Sequence, residues 1–253
     1  MPRFSANLGL LWSDLPLPDA IHAAKAAGFD AVEVQWPYAH DAHDLKATLE
    51  ETGLDLLSLN TPKGDAEKGD FGLAAHANGA VSIATAIDYA EAVNAKAIHV
   101  MPGIAVGEVA WETFEENLRL ACDLAPTRTI LIEPINPYDV PGYLLHTLED
   151  AVALIERVNK PNLKLMFDFY HIGRMHPNPI PQFTRVQHHV GHIQFASIPD
   201  RAAPDQGALN YSEVFAMLDD LGWNKPLGAE YRPYGKTEAS LGWMKRYLRT
   251  SND

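Results

Sequence analysis

TILIE at 129–133, TLEDAVALIERV at 147–158 and LKLMFD at 163–168 read as one strand–helix–strand unit, and that unit decides the fold. The outer runs are short, aliphatic and partly β-branched, as strands are. The middle run opens Thr147-x-x-Asp150, similar to a capping box with Asp in place of the usual Glu. A strand that returns through a helix to a second strand needs a parallel pair joined by a crossover.

Outward from this unit the alternation repeats to both ends. The spacing predicts strands at 3–7, 31–34, 55–59, 97–100, 129–133, 163–168, 191–196 and 226–230. It predicts helices at 18–27, 44–52, 78–93, 110–124, 147–158, 182–189, 211–221 and 237–248. The first helix begins with Pro18 and stops at Gly28, and the second stops at Gly53, the start and stop chemistry helices use. The fourth carries Trp111, Phe114, Leu118 and Ala121 at helical spacing. Eight strands alternating with eight helices in 253 residues predict an α/β protein, a single-domain (β/α)8 TIM barrel spanning 1–253. An open doubly wound sheet is the alternative, but no Gly-x-Gly-x-x-Gly follows the first strand. The irregular segment 62–80 is long for a βα loop and is expected to cover or line a site.

Composition narrows the function. The chain has 20 basic and 33 acidic residues, a net charge of −13, with 47% hydrophobic and 21% charged residues. Those fractions belong to ordinary globular proteins rather than disordered ones. The acidic balance argues against nucleic acid, because phosphate backbones are bound by Lys and Arg. The one cysteine, Cys122, lies among Leu118, Leu120 and Leu124, which excludes a disulfide framework and a cysteine-rich zinc site. No leader-like apolar segment opens the chain, and no stretch approaches the roughly 18 apolar residues a membrane helix needs. The expectation is a cytoplasmic protein with no membrane partner, free to form a homo-oligomer.

In such a barrel the chemistry sits where strands end. Strand five closes on Glu133, strand six on Asp168 and strand eight on Glu230, while Gln194 lies on strand seven. Successive members are separated by 35, 26 and 36 residues, near one repeat each, so they converge at one mouth of the barrel. Carboxylates gathered there would repel each other without a cation. An all-oxygen set suits Mg²⁺ or Mn²⁺ better than zinc. For any one of these residues, capping a helix or pairing with Arg is the competing account; for all four together it is the weaker one.

Further candidates are more ambiguous. His171 follows Asp168 by three residues and could meet a ligand or face solvent. Arg201 and Lys63 could each hold a substrate carboxylate or make a surface ion pair. His188 and His189 precede strand seven and read as structural, whereas His192 shares a strand face with Gln194 and could support it from below. Glu33 ends strand two, where it could bind ligand or orient a neighbour.

At these residues the chain resembles the hydroxypyruvate isomerase family of the xylose-isomerase-like TIM barrels. The likeness runs from RFSANL at 3–8 through GFDAVE at 28–33, a GD-x₃-G-x-x-G loop at 64–72, IEPIN at 132–136, FDFYH at 167–171 and GHIQ-x-A at 191–196 to GAEYRP at 228–233. It implies a divalent metal, Mg²⁺ or Mn²⁺, on Glu133, Asp168, Gln194 and Glu230. It also implies that Glu133 and Glu230 form the paired proton donor and acceptor, and that His171 and Arg201 touch substrate. Related sugar epimerases usually carry His where this chain has Gln194, which places it nearer hydroxypyruvate and 2-oxo-tetronate isomerases than ketose epimerases.

The expected activity is an aldose–ketose type isomerisation of a short keto or hydroxy acid, hydroxypyruvate to tartronate semialdehyde, by proton transfer through an enediolate. Arg201 or Lys63 would hold the substrate carboxylate. A 2-oxo-tetronate isomerase and a ketose 3-epimerase are the alternatives. A hydride shift over two metals is disfavoured, since only one set of four ligands is found. A barrel endonuclease would need more metal-binding His and a basic surface, and a non-catalytic sensor would show no turnover.

Overall fold

Eight parallel strands close on themselves in sequence order: β1 (Phe4–Asn7), β2 (Ala31–Val34), β3 (Asp55–Asn60), β4 (Ala97–His99), β5 (Thr129–Ile132), β6 (Leu163–Asp168), β7 (Val190–Phe195) and β8 (Leu227–Ala229). β1 pairs with both β2 and β8, so the barrel has no free edge. This is the expected TIM barrel, seen in a computed structural model that describes residues 1–247. Among those residues no helix is long and apolar enough to cross a membrane.

The surrounding helices are α1 (Leu17–Ala26), α2 (Ala42–Thr52), α3 (Gly79–Ala92), α4 (Glu108–Leu124), α5 (Leu148–Val158), α6 (Phe169–Met175), α7 (Ile180–Val186) and α8 (Tyr211–Asp220). Their ends obey local chemistry. Asp41 caps α2 by accepting from the His43 and Asp44 amides, and Gly53 closes it in the left-handed region at φ 65°. Thr147 caps α5 through its hydroxyl and the Asp150 amide at 3.1 Å, as its sequence predicts. Each helix buries one apolar face on the strands; α5 contributes Leu148, Ala151, Leu154, Ile155 and Val158. Cys122 is buried in α4, and burial pushes its thiol up to about 12, so it packs as a small hydrophobe.

Three elements depart from expectation, one of them the helix expected at 182–189, which is α7 over Ile180–Val186 followed by a 3₁₀ turn at Gln187–His189. α6 sits where a loop was expected. It is a seven-residue helix nucleated by Asp168, whose carboxylate accepts from the Tyr170 amide at 2.8 Å. The closing helix expected at 237–248 is a 3₁₀ helix over Thr237–Arg246; Leu248 lies outside the described residues. Within it the Ser240 hydroxyl donates to the Thr237 carbonyl at 2.7 Å, taking up an acceptor that an α-turn would use.

The main apolar core lies between strands and helices. The barrel interior is different. Ala97, Leu131 and Met166 form a small separate cluster there. The strands also turn buried polar residues inward, including Ser5, Glu33, His99, His192 and Gln194. Filled barrels use layers of branched aliphatics, so this polar interior marks the part of the molecule given over to something other than stability. Register irregularities help place it. β2 and β3 fall out of step between Val32 and Val34, beside Glu33, and β6 and β7 between Leu165 and Met166, two residues before Asp168. Bulges of this kind re-aim side chains next to sites.

Candidate active site

Beyond the second irregularity Asp168 pairs with Gln194, and Gln194 with Gly228, two residues before Glu230. Glu133 follows β5 by one residue and Glu230 follows β8 by one. All four predicted side chains therefore reach the same mouth, and all four are buried.

A cavity of about 220 Å³ opens there, lined among others by Glu133, His171, Gln194, Arg201, Glu230 and Lys63. It is smaller than the pockets that hold drug-sized ligands and suits a short substrate. A roomier groove of about 360 Å³ lies outside the barrel between α8 and the 3₁₀ segment, away from the acid cluster. We place the chemistry in the smaller cavity because the buried titratable groups converge on it.

The atoms facing one another are incompletely satisfied. Glu133 Oε1, Asp168 Oδ2 and Gln194 Oε1 are buried and accept no hydrogen bond. Buried polar groups in proteins almost always find partners, so three orphaned oxygens at the barrel mouth are three ready acceptors for a ligand. Burial first, then the charges of Glu230 and Asp168, push the Glu133 carboxyl well above its usual range, while Arg201 works against the rise. Asp168 is raised to about 7 by burial and by Glu230. A hard cation relieves this strain by replacing lost hydration with charge.

Glu230 is held differently. Its Oε1 accepts from Asn7 at 3.1 Å and from Gln35 at 2.7 Å, and its Oε2 accepts from Arg201 at 2.8 Å. Arg201 also lies 4.0 Å from Asp168 and stands over the Tyr170 ring at 5.0 Å. The acids around it keep its guanidinium charged despite burial. Its backbone is in the left-handed region at φ 53°, an unfavourable place for an arginine. Two bonds hold it there: its amide donates to Ser197 O at 3.0 Å and its carbonyl accepts from Arg232 N at 2.7 Å. Arg201 is thus a built part of the site rather than a surface ion pair.

His171 is buried on α6, not solvent-facing. Asn136 Oδ1 accepts from the Tyr138 and Asp139 amides, which leaves its NH₂ for His171 Nδ1 at 2.7 Å. That assignment puts the imidazole proton on Nε2, which lies 3.8 Å from both Glu133 Oε1 and Asp168 Oδ2. Glu133, Asp168 and His171 have ligand atoms within 4.8 Å of one another, but with Nε2 protonated His171 is a donor into the cavity rather than a ligand. Burial and nearby Arg201 hold it neutral, well below its usual range. Lys63 lines the cavity with its ammonium 5.0 Å from the Phe71 ring centre and 5.2 Å from that of Trp36. Both Lys63 and Phe71 belong to the long 62–80 loop, which lines the site as expected.

Glu33 and His192 lie beneath. Gln194 Nε2 donates to Glu33 Oε2 at 2.7 Å, and His192 Nε2 stands 3.1 Å from the same oxygen. Burial opposes the charge on Glu33, yet neighbouring His192 and the bonds from Ser5 and Gln194 outweigh it and lower its carboxyl. His192 thus supports Gln194 through Glu33. His188 and His189 sit in a 3₁₀ turn before β7, away from the mouth. No spacing or residue pattern singles out His99, Gln35, Asn7 or Asn136 as site residues. Alternation along β4 points His99 inward, and a reading for inward polar residues rather than acids alone would have found it.

These residues fit an oxygen-seeking divalent cation. The donors are hard, and three of their oxygens lack any other partner.

The family model for the xylose isomerase-like TIM barrel matches residues 21–247. A 2-oxo-tetronate isomerase of Cupriavidus necator is 40% identical over 98% of this chain and 99% of that protein. A hydroxypyruvate isomerase of Escherichia coli is 35% identical over 98% of this chain and 100% of its own length. A crystal structure described as an AP endonuclease, family 2, from Brucella melitensis superposes with a TM-score of 0.94 at 37% identity, covering 98% of this chain and 100% of that one. The chain belongs to the xylose isomerase-like TIM barrels, in the group that holds the hydroxypyruvate and 2-oxo-tetronate isomerases.

Proposed function

We propose that the protein is an isomerase that interconverts aldose and ketose forms of a short keto or hydroxy acid, first of all hydroxypyruvate and tartronate semialdehyde. The observation that carries this reading is the set of orphaned, buried oxygens of Glu133, Asp168 and Gln194, two of them on residues lining a cavity of about 220 Å³ and the third on the strand position paired with Gln194. Glu133, Asp168, Gln194 and Glu230 would hold Mg²⁺ or Mn²⁺. When bound, that ion supplies a Lewis acid that acidifies the carbon-bound proton beside the carbonyl.

The chain's own residues do the rest. Glu133, whose carboxylate lines the cavity, is the group available to take or return the proton at one carbon. Glu230, fixed by Asn7, Gln35 and Arg201, is held in one orientation to serve its neighbour carbon. The Nε2 proton of His171 is aimed into the cavity and can bond a substrate oxygen. Lys63, at the lining, binds the substrate carboxylate. Arg201, already paired with Glu230, steadies the acids and adds charge beside it.

Isomerisation of a 2-oxo-tetronate is the second reading, favoured by the 40% identical relative that bears that name. Ketose epimerisation needs no carboxylate anchor, and Lys63 argues against it. The cavity's size and the net charge of −13 argue against a nucleic-acid substrate.

The test is turnover of Mn²⁺-loaded protein on hydroxypyruvate, 2-oxo-tetronates and free ketoses, with solvent deuterium followed into carbon. Glu133→Gln and Glu230→Gln should each lower kcat by about 10²-fold or more and leave the fold unchanged. Near-normal turnover in either variant rejects the scheme.

A further inference from the structure

A glutamine side chain is a two-faced donor: its oxygen accepts and its nitrogen donates, and a half-turn exchanges them. At position 194 the difference decides whether the cavity meets an acceptor or an NH₂ group. We propose that Glu33 is the positioning residue that holds the Gln194 amide with its oxygen toward the acid cluster, and so sets its competence to bind a divalent cation. This rests on the reading of the cluster as a cation site.

The geometry is over-determined. Glu33 is buried at 1% exposure, with its two oxygens taken up by side chains of the barrel. Three side chains converge on its two oxygens: the Ser5 hydroxyl on Oε1, and Gln194 Nε2 and His192 Nε2 on Oε2. A carboxylate so surrounded is an acceptor only, and the amide that faces it must present NH₂. The opposite end, Gln194 Oε1, is then left without a partner, on the strand position paired with Asp168 and in the cavity that Glu133 also lines.

Gly228 keeps the pair in place. It lies in register with both Ser5 and Gln194, and a Cβ there would run into Glu33 Oε1 and come within 2.8 Å of Gln194 Cγ. Partners that orient ligands in this way alter metal affinity by about 10–100-fold when removed.

The experiment is a double-mutant cycle read by Mn²⁺ binding, with free Mn²⁺ followed by electron paramagnetic resonance and no substrate present. Glu33→Gln should weaken Mn²⁺ by at least about tenfold in the Gln194 background. In the Gln194→Ala background the same change should cost less than about twofold, because no amide remains to be turned. Equal losses in both backgrounds would show that Glu33 acts on the barrel at large and overturn the proposal. So would unchanged binding in Glu33→Gln. Should Glu33→Gln not fold, Ser5→Ala, which removes one of the three groups fixing Glu33, serves in the same cycle. It should weaken Mn²⁺ several-fold with Gln194 present and leave it unchanged with Ala, and equal effects reject the idea. Wild-type protein that binds no Mn²⁺ overturns the cation reading itself, a failure separate from the other outcomes.

Discussion

Asp168 divides its work between two oxygens. Oδ1 accepts from the Tyr170 amide and starts α6, while Oδ2 faces the cluster with no partner. Asparagine is as good a cap as aspartate, so Asp168→Asn should keep the helix and remove a charge that burial and Glu230 oppose. We expect its urea stability to match or exceed wild type, whereas Asp168→Ala should lose about 1 kcal/mol. His99 is a second separable case. Burial and the charge of His192 lower it from 6.5 to about 3. The unfolded chain therefore takes up this proton near 6.5 while the folded one refuses it, so the stability His99 confers at neutral pH is lost as pH falls toward about 3. Relative to His99→Asn, wild type should lose up to about 1.4 kcal/mol per pH unit across that window, as measured by urea denaturation at each pH. A pH-independent difference would mean that the imidazole is not kept neutral.

Gly228 shows how an element constrains a site. β8 is three residues long, and its middle position must be empty because Glu33 and Gln194 occupy the space a methyl group would need. Gly228→Ala should destabilise by about 1–3 kcal/mol, seen as a lower denaturant midpoint at unchanged slope. The strands themselves were legible: β2 and β6 carry the boundaries their sequences predict, since Val, Leu and Phe runs stopped by polar residues leave few alternatives. α6 was not, because FYHIGRM is short, aromatic and holds Gly173, and its only start signal is an aspartate that also reads as a site acid. Likewise the four strand-end residues could be read from spacing near one repeat. The pairing of Arg201 with Glu230 could not, because it depends on a left-handed backbone at 201 that a non-glycine residue gives no hint of.

At the scale of the molecule, a net charge of −13 is concentrated in part where it costs most, in the buried trio Glu133, Asp168 and Glu230. With no cation bound, Glu133 is raised well above its usual range and Asp168 to about 7, so acid favours their neutral forms and alkali forces charge into the barrel. Raised acids bind more protons folded than unfolded, so their contribution to stability shrinks as pH climbs from the unfolded values toward the folded ones. A divalent ion competes with those protons. Mn²⁺ should therefore raise Tm more at pH 8 than at pH 5, and its affinity should grow across that interval. Calorimetric scans with and without Mn²⁺ at both pH values check this; a larger shift at the acidic pH would contradict it.

The seam between β1 and β8 joins residues far apart in sequence, with Phe4 beside Leu227 and the rings of Phe4, Phe195, Phe215 and Trp243 packed around it. During synthesis β1 must wait, one flank unpaired, until β8 has emerged from the ribosome. A product truncated before Leu227 would present two sticky flanks and be prone to clump. Quality control thus has a simple criterion to act on, for the strand that closes the barrel also hides the hazardous edges.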